Sequence, residues 1–76
     1  MNRQALTPTQ IIEAARQRLA RARSDAGIEF ERDSSIGMLN TLKDLCLIDM
    51  DSWGVTRTEF DALADSRRAR LEGGLQ

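Results

Sequence analysis

A chain of 76 residues and 8.5 kDa, with 11 basic and 12 acidic side chains and no histidine, makes one domain at most and is expected to bury only about 60–65% of its unfolded surface. No apolar run nears the roughly 18 residues of a membrane span, the N-terminus lacks the apolar stretch of a secretory signal, and every dyad or triad that uses histidine as base is excluded. The single thiol, Cys46, forms no internal disulfide and completes no usual zinc site, so the expectation is a cytoplasmic protein with no metal, no cofactor and no membrane contact.

The first helix has a clear start. Thr7 caps, Pro8 fits the first helical position and Gln10 completes the capping-box spacing. Ile11, Ile12, Ala15, Leu19, Ala22 and Ala26 follow at helical spacing, and Gly27 is a stop signal. The pattern predicts a helix over about 8–24.

Residues 25–35 read as a connector. Ile28-Glu29-Phe30-Glu31 alternates apolar and acidic, the mark of an extended piece, but a lone strand finds no partner in this chain. Extended coil with Ile28 and Phe30 tucked onto the helices fits better.

The second helix is predicted over 35–48, capped from Asp33-Ser34-Ser35. Met38, Leu39, Leu42, Leu45 and Cys46 form one stripe, and Ile36, Leu47 and Met50 widen it to about half the circumference. That arc is broader than one neighbouring helix covers. Cys46, on the stripe, reads as a small buried hydrophobe rather than a reactive thiol.

Asp49 to Gly54 reads as a loop. Its Asp49-x-Asp51 start is that of a calcium loop, but the fifth and twelfth positions hold Trp53 and Phe60 where oxygen ligands are required. The third helix is predicted over 57–71, with Thr56 and Glu59 as a capping box and Val55 and Phe60 as a hydrophobic staple. Its stripe is Phe60, Leu63, Ala64 and Leu71, and Gly73-Gly74 ends it. The fold expected is all-α, a single three-helix domain over 1–76 with frayed ends at about 1–6 and 73–76, packing as a homodimer. Met38, Leu39, Leu42, Leu45, Cys46, Phe60 and Leu63 supply its core and dimer contact.

The net charge of −1 conceals a pattern: residues 1–24 carry +4, residues 25–65 carry −7 and residues 66–76 carry +2. Ten arginines against one lysine, with frequent alanine, is the usage of a GC-rich genome and points to a bacterial, plasmid or phage source. On the first helix, Arg16 and Arg23 flank one side of the apolar seam and Arg18 and Arg21 the other. Their stems are expected to cover the seam while their heads meet acids of the middle segment. Arg67 falls inside the apolar arc of the third helix, so it either reaches past the arc to solvent or pairs with an acid at an interface. Trp53 either packs over the helix ends or anchors a partner.

Gly54-Val55-Thr56-Arg57-Thr58-Glu59-Phe60 resembles the turn into the second helix of ribbon-helix-helix DNA-binding proteins. That resemblance implies a dimer whose paired strands, here residues 28–32, enter the major groove. The outward residues of such a strand are Glu29 and Glu31, which phosphates repel. Without side chains for histidine-based chemistry and without a pocket to shift carboxylate pKa values, no catalysis is expected. The sequence therefore favours a non-enzymatic protein that binds another protein, as an adaptor, inhibitor or regulator. Arg16, Arg18, Trp53, Arg67 and Arg70 are its candidate partner-binding residues. The alternative is a small DNA-binding regulator using the arginines of the first or third helix.

Overall fold

The computed structural model describes residues 5–73 and contains three helices: α1 (Pro8–Arg21), α2 (Asp25–Asp44) and α3 (Met50–Gly73). There is no strand among the described residues, and none of these helices is long and apolar enough to cross a membrane. The frayed ends expected at 1–4 and 74–76 lie outside the described residues; Gly73 is the last residue of α3.

α1 begins as its sequence dictates. Thr7 Oγ1 accepts from the Gln10 amide at 3.1 Å and the Gln10 side chain accepts from the Thr7 amide at 2.8 Å. It ends at Arg21, three residues early, and Gly27 is not its stop. Ser24 instead caps a new helix, its Oγ accepting from the Gly27 amide at 3.0 Å. The expected connector is thus the first half of α2. Ile28 is fully buried and Phe30 is 67% exposed, the spacing of a helix face and not of a strand.

α2 ends earlier than expected, at Asp44, in a Schellman motif. The Cys46 amide donates to the Lys43 carbonyl and the Leu47 amide to the Leu42 carbonyl, both at 2.9 Å. Cys46 occupies the left-handed position with φ of 60°. Helical spacing stops there, so Cys46 is exposed and not the buried hydrophobe that its place on the stripe implied, and Leu45 is 63% exposed.

α3 starts seven residues earlier than expected. Asp49 caps it, Oδ1 accepting from the Ser52 amide at 2.7 Å. Trp53 and Gly54 are therefore helical, and the staple does not form: Val55 is 70% exposed, Thr56 is buried in mid-helix and Glu59 faces α1. The ribbon-helix-helix arrangement is excluded in the same stroke, because 28–32 is helix and no turn precedes Val55.

All three helices pack against one another. Ile12, Ala15, Leu19 and Ala22 from α1 and its cap, Ile28, Leu39 and Leu42 from α2, and Phe60 and Ala64 from α3 form the core. Met38, Leu63, Leu71, Ile36 and Trp53 pack on its margin. Fully buried Ser35 sits in the α2 face with no partner for its hydroxyl.

Candidate interaction surface

Each helix pair is clipped by an arginine. Arg16 of α1 grips Glu59 of α3 with two bonds, Nε to Oε2 at 2.6 Å and Nη2 to Oε1 at 2.9 Å, and also reaches Glu13. This fork-on-fork geometry, with Glu59 the larger influence and Glu13 the smaller, raises the Arg16 pKa further above its ordinary value. Arg18 of α1 meets Glu31 of α2 at 3.2 Å. Arg68 of α3 meets Glu29 and Asp25 of α2 and its own neighbour Asp65, while Arg32 also holds Glu29. These pairings consume Arg16, Arg18, Arg32 and Arg68 inside the monomer.

Arg67 does neither of the two things its place in the apolar arc suggested. Its Nε donates to the Ala22 carbonyl at 2.7 Å, so a half-buried cation closes the C-terminal end of α1, where the helix dipole is negative. Trp53 also turns inward. Its Nε1 donates to Asn40 Oδ1 at 2.8 Å, tying the start of α3 to α2, and the Lys43 ammonium lies 4.3 Å over its ring. The Arg57 guanidinium stands at 5.9 Å from the same ring. Arg70 remains exposed beside Arg67, on a groove also lined by Ala20, Leu63 and Ser66. Arg21, Arg23 and Arg70 have no ion pair among the described residues.

At the opposite end, the α2–α3 corner carries what the core did not absorb. Leu45, Leu47, Met50 and Val55 are 53–70% exposed, with Cys46 between them and Ile48 half-buried below. Leu47, Ile48, Cys46 and Met50 line one shallow depression, and Met50, Val55, Gly54 and Thr58 line the next. Four large side chains, each more than half exposed, make an apolar patch on the order of 400 Å², a size that in a monomeric protein marks a contact site.

Sequence reasoning assigned these residues elsewhere: Leu47 and Met50 to the α2 stripe, Val55 to a staple. The signal was present in Leu45-Cys46-Leu47-Ile48, a run with apolar residues at every phase, which no single helix face accommodates. The residues favoured from sequence, Arg16, Arg18, Trp53 and Arg67, are engaged within the monomer, and Arg70 alone of the five is left exposed and without an ion pair among the described residues.

No side-chain constellation suited to chemistry is found among the described residues. No group of three or more metal-ligating side chains converges, and no carboxyl is held above its ordinary pKa. No protein-family model, no curated protein and no solved structure matches the chain.

Proposed function

We propose that the protein acts without catalysis, by binding another protein through the apolar corner between α2 and α3. The observation that carries this reading is the cluster of Leu45, Leu47, Met50 and Val55 held open to solvent beside a core from which they are excluded. The corner is built on rigid parts: the Schellman turn fixes Leu45 to Leu47, and the Asp49 cap with the Trp53–Asn40 bond fixes the first turns of α3. A surface that needs little ordering loses little entropy on association. An adaptor, an inhibitor or a regulator each fits such a surface, and self-association belongs to the same reading.

The test is photo-cross-linking in cells that make the protein naturally, with Val55→p-benzoylphenylalanine as probe and Ala69→p-benzoylphenylalanine, exposed at the far end of α3, as control. Protein adducts from position 55 and none from 69 are expected. Equal yields at both positions, or none at 55, overturn the reading.

One observation favours nucleic acid instead. Arg21, Arg23 and Arg70, exposed and without ion pairs among the described residues, lie where α1 ends and α3 runs its last turns. Three cations form a small electrostatic footprint, and the acids of α2 lie close by. Titration with labelled duplex DNA separates the readings: binding that weakens steeply with salt supports the nucleic-acid reading, and its absence at low salt ends it.

A further inference from the structure

We propose that the occupant of the α2–α3 corner is a second copy of this chain, packed across a two-fold axis on Leu45, Leu47, Met50 and Val55. This inference rests on the protein-binding reading and gives it a partner. Two features of the corner select a copy of itself.

The first is area. Ordinary interfaces are about 57–65% apolar, so an apolar patch on the order of 400 Å² belongs to a contact of roughly 600–700 Å² per partner, near the 800 Å² of a standard stable complex. A two-fold contact buries the patch of both copies at once, and with it the surplus apolar surface that a three-helix core of this size leaves outside.

The second is charge. The patch is bordered by Asp44, Asp49 and Asp51 and by Lys43 and Arg57, so both signs stand on one rim. A rim of one sign repels its own copy and selects a partner of the opposite sign; a mixed rim suits a self-complementary contact, in which each cation-to-acid approach occurs twice. The two cations are steadied for this role by the Trp53 face, at 4.3 and 5.9 Å. Gly54 adds room. A Cβ at that position meets nothing within 4 Å, so the helix backbone itself lies open between Met50 and Val55.

The experiment is sedimentation equilibrium of the full chain from about 1 to 200 µM, beside a Leu47→Asp/Val55→Asp double variant. The wild-type mass is expected to rise from 8.5 kDa to twice that value, while the variant stays at 8.5 kDa with unchanged far-ultraviolet circular dichroism, its self-affinity at least tenfold weaker. Should the double variant lose its helical signal, Val55→Lys alone, at the most exposed position of the patch, carries the same comparison. A wild type that stays at 8.5 kDa throughout overturns the dimer. In that case, cross-links from position 55 to a different protein keep the protein-binding reading, and their absence removes both. A wild-type dimer that the substitutions do not weaken overturns this surface. A mass that climbs past two copies indicates a head-to-tail contact and overturns the two-fold.

Discussion

Cys46 holds a φ of 60°, the left-handed conformation that most side chains adopt at a cost of about 1–2 kcal/mol and glycine adopts freely. Both Schellman hydrogen bonds are already in place, so the turn is made in spite of the side chain. Cys46→Gly is expected to stabilise the fold by about 1 kcal/mol, raising Tm by about 4–8 °C for a chain of this length. Thermal melts at low micromolar concentration, where self-association does not contribute, check it. Ser35 is the complementary case. Its hydroxyl is buried among apolar neighbours and bonds to nothing, so it contributes a desolvation penalty and no compensating interaction. Ser35→Ala removes that penalty and improves helix propensity in α2, and urea unfolding is expected to place the variant about 1 kcal/mol above the wild type. A loss of stability instead means that the hydroxyl is satisfied in solution.

Helix ends separate what was legible in the sequence from what was not. The start of α1 could be read residue by residue, because Thr7, Pro8 and Gln10 act only on their own backbone. The start of α3 could not. Thr56, Glu59, Val55 and Phe60 satisfy the capping-box and staple spacing, yet Thr56 and Phe60 are buried in mid-helix, and Glu59 is drawn to Arg16, 43 residues away in sequence. Local spacing was outweighed by packing against α1 and α2, and the cap fell to Asp49. The start of α2 was misread for the same reason: the alternation of Ile28 to Glu31 was taken as coil, whereas a helix puts Ile28 in the core and leaves Glu29 and Glu31 to arginines of α3 and α1. Arg67 was recognisable as misplaced in an apolar arc, but its partner, a main-chain carbonyl at the end of another helix, carries no sequence signature. The apolar corner was half legible, as an excess of apolar surface without a location.

The Asp49 cap also has a pH signature. The Ser52 amide, and then its hydroxyl, hold the Asp49 carboxyl below its ordinary value of 3.8. A depressed folded-state pKa contributes stability that is present above the unfolded value and lost as pH falls through the folded one. Asn caps a helix as well as Asp but does not titrate. The Tm of the wild type minus that of Asp49→Asn is therefore expected to be larger at about pH 6 than at about pH 2.5, with the change falling below about pH 4. A difference that does not vary with pH means the carboxylate is not the cap in solution.

At the scale of the whole molecule, charge does the tying that a small apolar core leaves undone. The pairs Arg16–Glu59, Arg18–Glu31 and Arg68–Glu29 join α1 to α3, α1 to α2 and α2 to α3, so the basic ends of the sequence are folded onto its acidic middle. Isolated surface pairs contribute little, because long side chains lose entropy and water screens them. Arg16 and Glu59 start from a better position: the contact is bidentate, and their side chains are 34% and 37% exposed. Solvent still reaches both, so their coupling belongs near the top of the range for exposed pairs, about 0.5–1 kcal/mol, and not in the buried range. A double-mutant cycle on Arg16→Met and Glu59→Gln, read by urea unfolding, measures it. The coupling is expected to fall by half or more between about 0.05 and 0.5 M sodium chloride, as the screening length contracts from more than 10 Å to about the length of the contact itself. A coupling that survives high salt unchanged assigns the pair's strength to its hydrogen bonds and packed stem rather than to charge. A coupling of zero at low salt leaves the α1–α3 contact to Leu19, Phe60 and Ala64 alone.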